Sequence, residues 1–532
     1  MLIDGLTFDF SWITHKHVRI SLVGACVTAA VVSIGVHLNN LRQLPPGECL
    51  FILQRFYQVL FAYRIFNTTS SGPWGLPIIG CLPRMSRGAP HSWYMQLCAQ
   101  YGELVSLRLG RNLVVCIGSA RLLKDIFTRY DSTGRPHTPL NNLLGGRGVV
   151  LSEGIIWRRH RQFLLDKFRA LGVRNRNFEQ FILLEVEELK SNLVSKKGQP
   201  VDPSVVLGRH IHNIITQLMM SFRFEENDPD FITFNEKVTR GMQLYGSIHI
   251  GEHLPWYLSL PGKKQVLREI QKNLDDISKF HLKHIRKRID KRLASPQHQP
   301  VDLLDFFLDE LENDESTLYV GVDSVKQIVQ VMNDLFSAGM ETSRSAVLWT
   351  VVMMMRERRV AARVREELAK VVAPGDTVTL DHRSQLAYVE AVVYETLRRV
   401  PIVPLGTTHV NYRNWKAFGF SIPVKTQLVP LLNRILMDPE AFPRPYQFRP
   451  ERFLKNGKVV LPENFMPFGV GRRICIGDHL AKMEIFLFFA NLMNSFQFHM
   501  PEGHSIPELD DGVLGSTNAP KSFRVIFEKI KT

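Results

Sequence analysis

Ten residues near the C-terminal end, Phe468–Gly477 (FGVGRRICIG), constrain this chain more than any other stretch. They set one cysteine, Cys475, among three glycines and two arginines. The other cysteines are Cys26, Cys49, Cys81, Cys98 and Cys116; no two of the six form a CxxC, and none lies between Cys116 and Cys475. That spacing argues against both a secreted disulfide framework and a zinc module, and it fits a reducing compartment. Cys475 therefore acts alone. A lone thiol that ligates a metal must give up its proton and keep a stiff polar surround. Gly469, Gly471 and Gly477 permit tight turns and let the backbone approach a flat macrocycle. Peptide N–H groups around Cys475 are placed to hydrogen-bond its sulfur, and Arg473 can reach a carboxylate at the macrocycle's edge. The apolar stretch after Gly477, DHLAKMEIFLFFANLM, reads as a helix beneath the ring, with Phe486, Phe488 and Phe489 in the core.

The rest of the chain supplies a body large enough to enclose such a group. It has 532 residues, 45% hydrophobic and 22% charged, an ordinary globular balance. From Pro73 onward the pattern is mainly helical with short β segments, and no boundary divides 73–532 into separate domains. LVSLRLGRNLVVCIGS (Leu104–Ser119) reads as a hairpin, and proline-rich loops fall near Pro401–Pro404 and Pro439–Pro450. The net charge of +15 comes from 66 basic and 51 acidic residues. Those cations are scattered or lie on helical stretches such as FHLKHIRKRIDKRL, where Leu282, Ile285, Ile289 and Leu293 mark a buried stripe under a solvated face. No nucleic-acid-binding signature accompanies them.

Four further motifs precede or flank the cysteine loop. ETLR puts Glu395 and Arg398 on one helical face, a spacing common at surfaces, and FRPERF supplies Arg452. WRRHR puts Trp157 and Arg161 on one face. DLFSAGMETS (Asp334–Ser343) carries an acid and a hydroxyl, Glu341 and Thr342, in a long apolar helical pattern, with small Ala338 and Gly339 just before them. A threonine there either serves chemistry or bonds back to a carbonyl of its own helix. Taken with F-G-x-G-x-R-x-C-x-G, this order of motifs resembles the cytochrome P450 family of haem-thiolate monooxygenases, over Pro73 to the C-terminus.

The resemblance implies a mainly α, cytochrome P450 fold: a large helical body with small β-sheets, preceded by an N-terminal transmembrane helix. It implies haem b ligated by Cys475, with Trp157, Arg161, Arg473, Arg135 and His409 on its propionates. Thr408 stands where many relatives carry proline, a departure beside His409. Glu395, Arg398 and Arg452 become a buried charge network, and Glu341 and Thr342 relay protons toward O2. The chain has no GxGxxG in a strand–helix setting, so electrons are expected from NADPH–cytochrome P450 reductase. Its acidic face would meet cations such as Arg158, Arg159 and Lys167. Within the family, FLLDKFRALGV (Phe163–Val173), LMMSFRF (Leu218–Phe224), IVQVMNDLFSAGMETSRSAVLW (Ile328–Trp349) and IVPLGTTHV are most similar to arthropod ecdysteroid 26-hydroxylases, which inactivate moulting hormone. Segments expected to line a steroid pocket are Leu143–Ser152, Ser337–Thr342, Val403–Thr407 and Gly515–Asn518. The same haem site could instead serve a xenobiotic, a fatty acid or another step of steroid synthesis. A non-catalytic haem or ligand-binding protein is the alternative of a different class, and the Glu341–Thr342 pair argues against it.

The N-terminal end completes the layout. Ile20–Leu38 holds no charge over 38 − 20 + 1 = 19 positions, roughly 28 Å as a helix, which suits an uncleaved anchor better than a signal peptide. Residues 1–47 thus form the anchor and the start of a proline-rich linker. The family likeness places it in the endoplasmic reticulum membrane with the body facing the cytosol. Asp4 and Asp9 argue against a mitochondrial presequence. Glu48–Gly72 then interrupts what would otherwise read LPPGPWGLPIIG. It is either an interfacial helix with Arg55 and Arg64 on its polar side, or a retained intron of 25 × 3 = 75 nucleotides. Sequencing transcripts across this junction decides: a population lacking the 75 nucleotides is expected for the intron, and uniform retention for the helix.

Overall fold

A computed structural model describes residues 72–530 except 74, 77, 86–89, 174–177, 226–227, 295–298, 418–419, 510–511 and 515–516. The expected anchor and residues 48–71 of the insert lie outside the described residues. Among the described residues no helix is long and apolar enough to cross a membrane.

The body begins with α1 (Pro90–Tyr101), the hairpin β1 (Leu104–Leu109) and β2 (Asn112–Ile117), α2 (Ala120–Thr128) and α3 (Pro139–Leu143). A helical run follows: α4 (Gly154–Ala170), α5 (Glu179–Ser195), α6 (Pro203–Met220), α7 (Pro229–Ser247), α8 (Lys263–Ala294), α9 (Leu303–Glu312) and α10 (Ser324–Arg356). Next come α11 (Arg358–Val371), α12 (Ala387–Arg399), β3 (His409–Val410), β4 (Gln427–Pro430), α13 (Leu432–Leu436) and α14 (Asp478–Ser495). The hairpin expected from Leu104–Ser119 is present, running from Leu104 opposite Ile117 to Leu109 opposite Asn112. It belongs to a four-stranded sheet ordered β1-β2-β4-β3, with β2 and β4 parallel. β3 pairs His409 with Leu428, which brings that imidazole to the end of the sheet nearest the interior.

The 33 residues of α10 form the axis of the body. The Asp323 side chain caps its start by accepting the Lys326 N–H, and most of its residues from Gln327 to Met355 are buried. A helix buried on nearly every side has to be apolar nearly all round. It packs against α6, α8, α12 and α14, and Phe486, Phe488 and Phe489 of α14 are core residues as expected. The stripe expected on α8 is corrected at its end, since Leu293 is 77% exposed. The buried face instead runs Ile270, Ile277, His281, Ile285 and Arg292. Arg292 can be buried because α9 supplies acids: it pairs with Asp309 and with Glu312 at 3.1 Å.

Two polar clamps position the interior. In the first, Glu395 and Arg398 of α12 are both fully buried and joined by two bonds, of 2.7 and 2.9 Å. Arg452 lies 3.1 Å from the same carboxylate, and the Arg449 N–H donates to it at 2.8 Å. Arg398 also donates to the Leu436 and Pro445 carbonyls. The expected network is therefore present, and it fastens the chain that leads to the cysteine loop. In the second, Asp334 of α10 accepts the Val149 and Val150 N–H groups at 2.7 and 2.9 Å. The Gln327 amide pairs with both backbone groups of Gly148 at 3.0 Å. Gly148 has φ +81, and a Cβ there would lie 2.1 Å from the Asp334 carboxylate, so only glycine fits.

Glu395→Ala strands two guanidiniums and should cost about 3–5 kcal/mol in urea unfolding; a loss under about 1 kcal/mol, typical of exposed pairs, would contradict the clamp. Burial pushes the Asp334 carboxyl up to about 6 from an ordinary 3.8. Between those values the folded chain binds a proton that the unfolded chain does not, so this contribution to stability falls as pH rises through the window. Asp334→Asn should remove that component from the pH profile of the melting temperature.

Candidate active site

The cysteine loop is built by its glycines. Gly469 and Gly471 have φ +78 and +81, and a Cβ on Gly471 would sit 2.1 Å from the Phe127 carbonyl of α2. The loop closes with the Cys475 N–H donating to the Phe468 carbonyl at 3.1 Å. The Gly477 N–H hydrogen-bonds the sulfur, just where α14 begins. Burial pushes the Cys475 thiol up; the Gly477 N–H, Arg161 and Lys482 oppose this, while Asp478 adds to it. Those donors favour the thiolate, the form that binds a metal. Among the described cysteines Cys81, Cys98 and Cys116 are buried in another apolar cluster, and Cys475 alone opens on the internal cavity.

That cavity, of about 350 Å³, gathers most of the residues expected at the site. Trp157, Arg135, Arg161, His409 and Arg473 are on its wall, as are Cys475 and Thr342. Arg473 lies over the Trp157 ring at 4.3 Å and donates to the Thr133 and Val150 carbonyls at 2.7 and 3.2 Å. Arg135 donates to the carbonyls of Val150 and Thr408, both at 2.8 Å, and Arg161 to that of Ile474 at 2.7 Å. None of these three guanidiniums is ion-paired among the described residues. Burial draws all three below their ordinary range, Arg473 to about 10. The His409 ring stacks on Phe127 at 3.8 Å, and its buried Nδ1 has no hydrogen-bond partner. Three unneutralised cations and an orphaned imidazole nitrogen at one end of an apolar cavity fit a flat group with an anionic edge. Cys475 offers that group's metal a thiolate.

The acid and the hydroxyl of α10 separate. Thr342 faces the cavity and donates its proton back to the Ala338 carbonyl at 2.6 Å, so its oxygen lone pairs remain free to accept. The back-bond weighed from sequence is thus present, in a residue that also lines the site. Glu341 is off the wall, paired with Arg344; burial pushes its carboxyl up and Arg344 opposes this. Gly339 has a second reason to be small, since a Cβ there would lie 2.7 Å from the Ile215 side chain of α6. Of the expected lining segments, Val149, Val150, Ala338, Gly339, Val403, Gly406 and Thr407 reach the cavity. Leu143 packs elsewhere, against the Leu244 and Ile248 cluster, and residues 515–516 lie outside the described residues. Sequence reading did not single out Ile215, Met219 or Glu484, which line the cavity, or Asp334, which grips the Val149–Val150 backbone beside it; no local signal pointed to these roles.

Comparison with known proteins agrees with this geometry. The family model "Cytochrome P450" matches residues 71–527. Cytochrome P450 18a1 of Drosophila melanogaster is 39% identical over 88% of this chain and 88% of its own length. Cytochrome P450 2D3 of Rattus norvegicus is 32% identical over 85% of this chain and 91% of its own. Cytochrome P450 2L1 of Panulirus argus is 29% identical over 86% and 94%. With its thiolate loop, cation-lined cavity and charge network in place, the chain belongs to the cytochrome P450 family, and it is a monooxygenase that holds haem b by a cysteine thiolate.

Proposed function

We propose that this monooxygenase hydroxylates an ecdysteroid, at the C26 position, and so inactivates moulting hormone. The observation that carries the reading is the 39% identity to the Drosophila protein, against 29–32% for the crustacean and rat relatives. The Ile328–Trp349 and IVPLGTTHV stretches, likened above to ecdysteroid 26-hydroxylases, add support because both contribute to the cavity wall.

Bound haem supplies an iron that activates O2 with two electrons, so that one oxygen atom enters a C–H bond and the other leaves as water. The chain's residues arrange the rest. Cys475 ligates the iron, and the Gly477 N–H holds its charge. Arg135, Arg161, Arg473, Trp157 and His409 hold the carboxylate edge, where charge-assisted bonds are strong. Thr342 Oγ1, its own proton given to Ala338, accepts a hydrogen bond from a donor in the cavity. Glu341, released from Arg344, takes protons inward from water. Ile215, Leu335, Ile402 and Val403 keep the reaction dry and receive an apolar skeleton.

Electrons come from NADPH–cytochrome P450 reductase, docking at a basic face that includes Arg158, Arg159 and Lys167. Residues 1–47 hold the protein in the endoplasmic reticulum membrane, and 73–532 form the catalytic body, with 48–72 between them.

A visible absorption titration of the ferric protein with 20-hydroxyecdysone tests the substrate. A saturable Soret shift is expected, followed by a C26-hydroxylated product with reductase and NADPH. An unmoved Soret band and no steroid product would overturn the ecdysteroid reading and leave a monooxygenase for another lipophilic substrate.

A further inference from the structure

One buried acid on the cavity wall is unused by the chemistry described so far. Glu484 of α14 is 1% exposed. Its Oε2 accepts the Ser343 hydroxyl of α10 at 2.6 Å, across 141 residues of sequence, and its Oε1 has no partner. Ser343 follows Thr342 directly. Successive side chains on a helix point about 100° apart, and three here are each committed to a different neighbour. Thr342 faces the cavity, Ser343 binds α14, and Arg344 lies beside Gly208 of α6. Close packing at Gly339 against Ile215 limits movement of α10 toward α6. The Ser343 bond is therefore the polar contact that fixes the rotation of α10 at the oxygen-activating hydroxyl.

We infer that Glu484 is a positioning residue of the oxygenation reaction, tying α10 to α14 through Ser343 and so holding the Thr342 hydroxyl on the cavity wall. The inference rests on the reading of Thr342 given above. Glu484 does this as a neutral acid. Burial raises its carboxyl to about 8, and only the Ser343 hydrogen bond opposes that. No ionic group of α5, α10, α11 or α12, the helices packed on α14, contributes. Arg344 is turned to Glu341, and Glu185 of α5 to His210 and Arg223. A carboxylate at this place would have one donor for its charge and would draw water between the helices.

Two measurements on the haem-loaded protein test this. The first is the infrared difference between wild type and Glu484→Gln, read at the C=O stretch of a protonated carboxyl. A band present at neutral pH, shifted in D2O and lost as pH passes about 8, is expected; its absence at neutral pH would overturn the neutral tether. The second is peroxide released per NADPH oxidised, with reductase and no added substrate. Ser343→Ala and Glu484→Ala should raise the ratio severalfold, and Glu484→Gln, which keeps an acceptor for Ser343, should rescue it. The wild-type ratio should climb above about pH 8, and that of Glu484→Gln should stay flat. Thr342→Ala separates the two readings. If it raises peroxide while Ser343→Ala and Glu484→Ala do not, the role of Glu484 is wrong. If all three leave the ratio unchanged, the reading of Thr342 falls first and the inference with it.

Discussion

The Glu395 carboxylate, fully buried, gathers four donors. It takes both bonds of the Arg398 fork, the Arg452 guanidinium and the Arg449 N–H. A buried charge is tolerated only when its lone pairs are matched this fully. The matching fastens α12 to the segment around Pro445–Arg452, and from there the chain runs to Met466 and the cysteine loop. The clamp thus holds the segment that leads to the loop, while Phe468, Val470 and Ile476 pack the loop itself against neighbouring apolar clusters.

Several buried or half-buried arginines among the described residues find acids within reach. Arg398 has Glu395; Arg288 has Asp302 and Asp305; Arg292 has Asp309 and Glu312. Arg135, Arg161 and Arg473 break the pattern, sharing one cavity wall and satisfied there by backbone carbonyls. Such carbonyls meet a guanidinium's geometry but not its charge. The mutual repulsion of the three arginines, which adds to burial in drawing Arg135 down, leaves a wall suited to an anionic edge.

Legibility followed the range of the interactions. The hairpin, the glycine turns and the Glu395–Arg398 spacing are local, and each was readable from a few consecutive residues. The pairing of Arg452 with Glu395 is long-range and came from family likeness. The end of the α8 stripe was misjudged because period alone favoured Leu293. The chain buries Arg292 instead, and only the acids of α9, folded against it, make that possible. Asp334 on the Val149–Val150 backbone and Glu484 on Ser343 were invisible for the same reason. Each is an acid in an apolar helix whose partner lies 141 or more residues away.

The parts that conduct the reaction and those that choose the substrate differ physically. In the proposed reaction Cys475, its Gly477 donor, the three arginines and Thr342 would act through directed bonds, where a misplacement of one ångström can cost about a hundredfold in rate. Ile215, Leu335, Ile402, Val403 and their neighbours on the cavity wall would act by shape and dryness. Hydrophobic residues of similar volume exchange at low cost, so this wall can be rebuilt while the chemistry stays fixed. The Asp334 clamp sits between the two sets. It grips Val149 and Val150, whose side chains face the cavity, while the Val150 carbonyl receives Arg135 and Arg473. A change in the loop to suit a different skeleton must keep Gly148 and those carbonyls in place. The constraint on this segment falls on Gly148 and on its backbone.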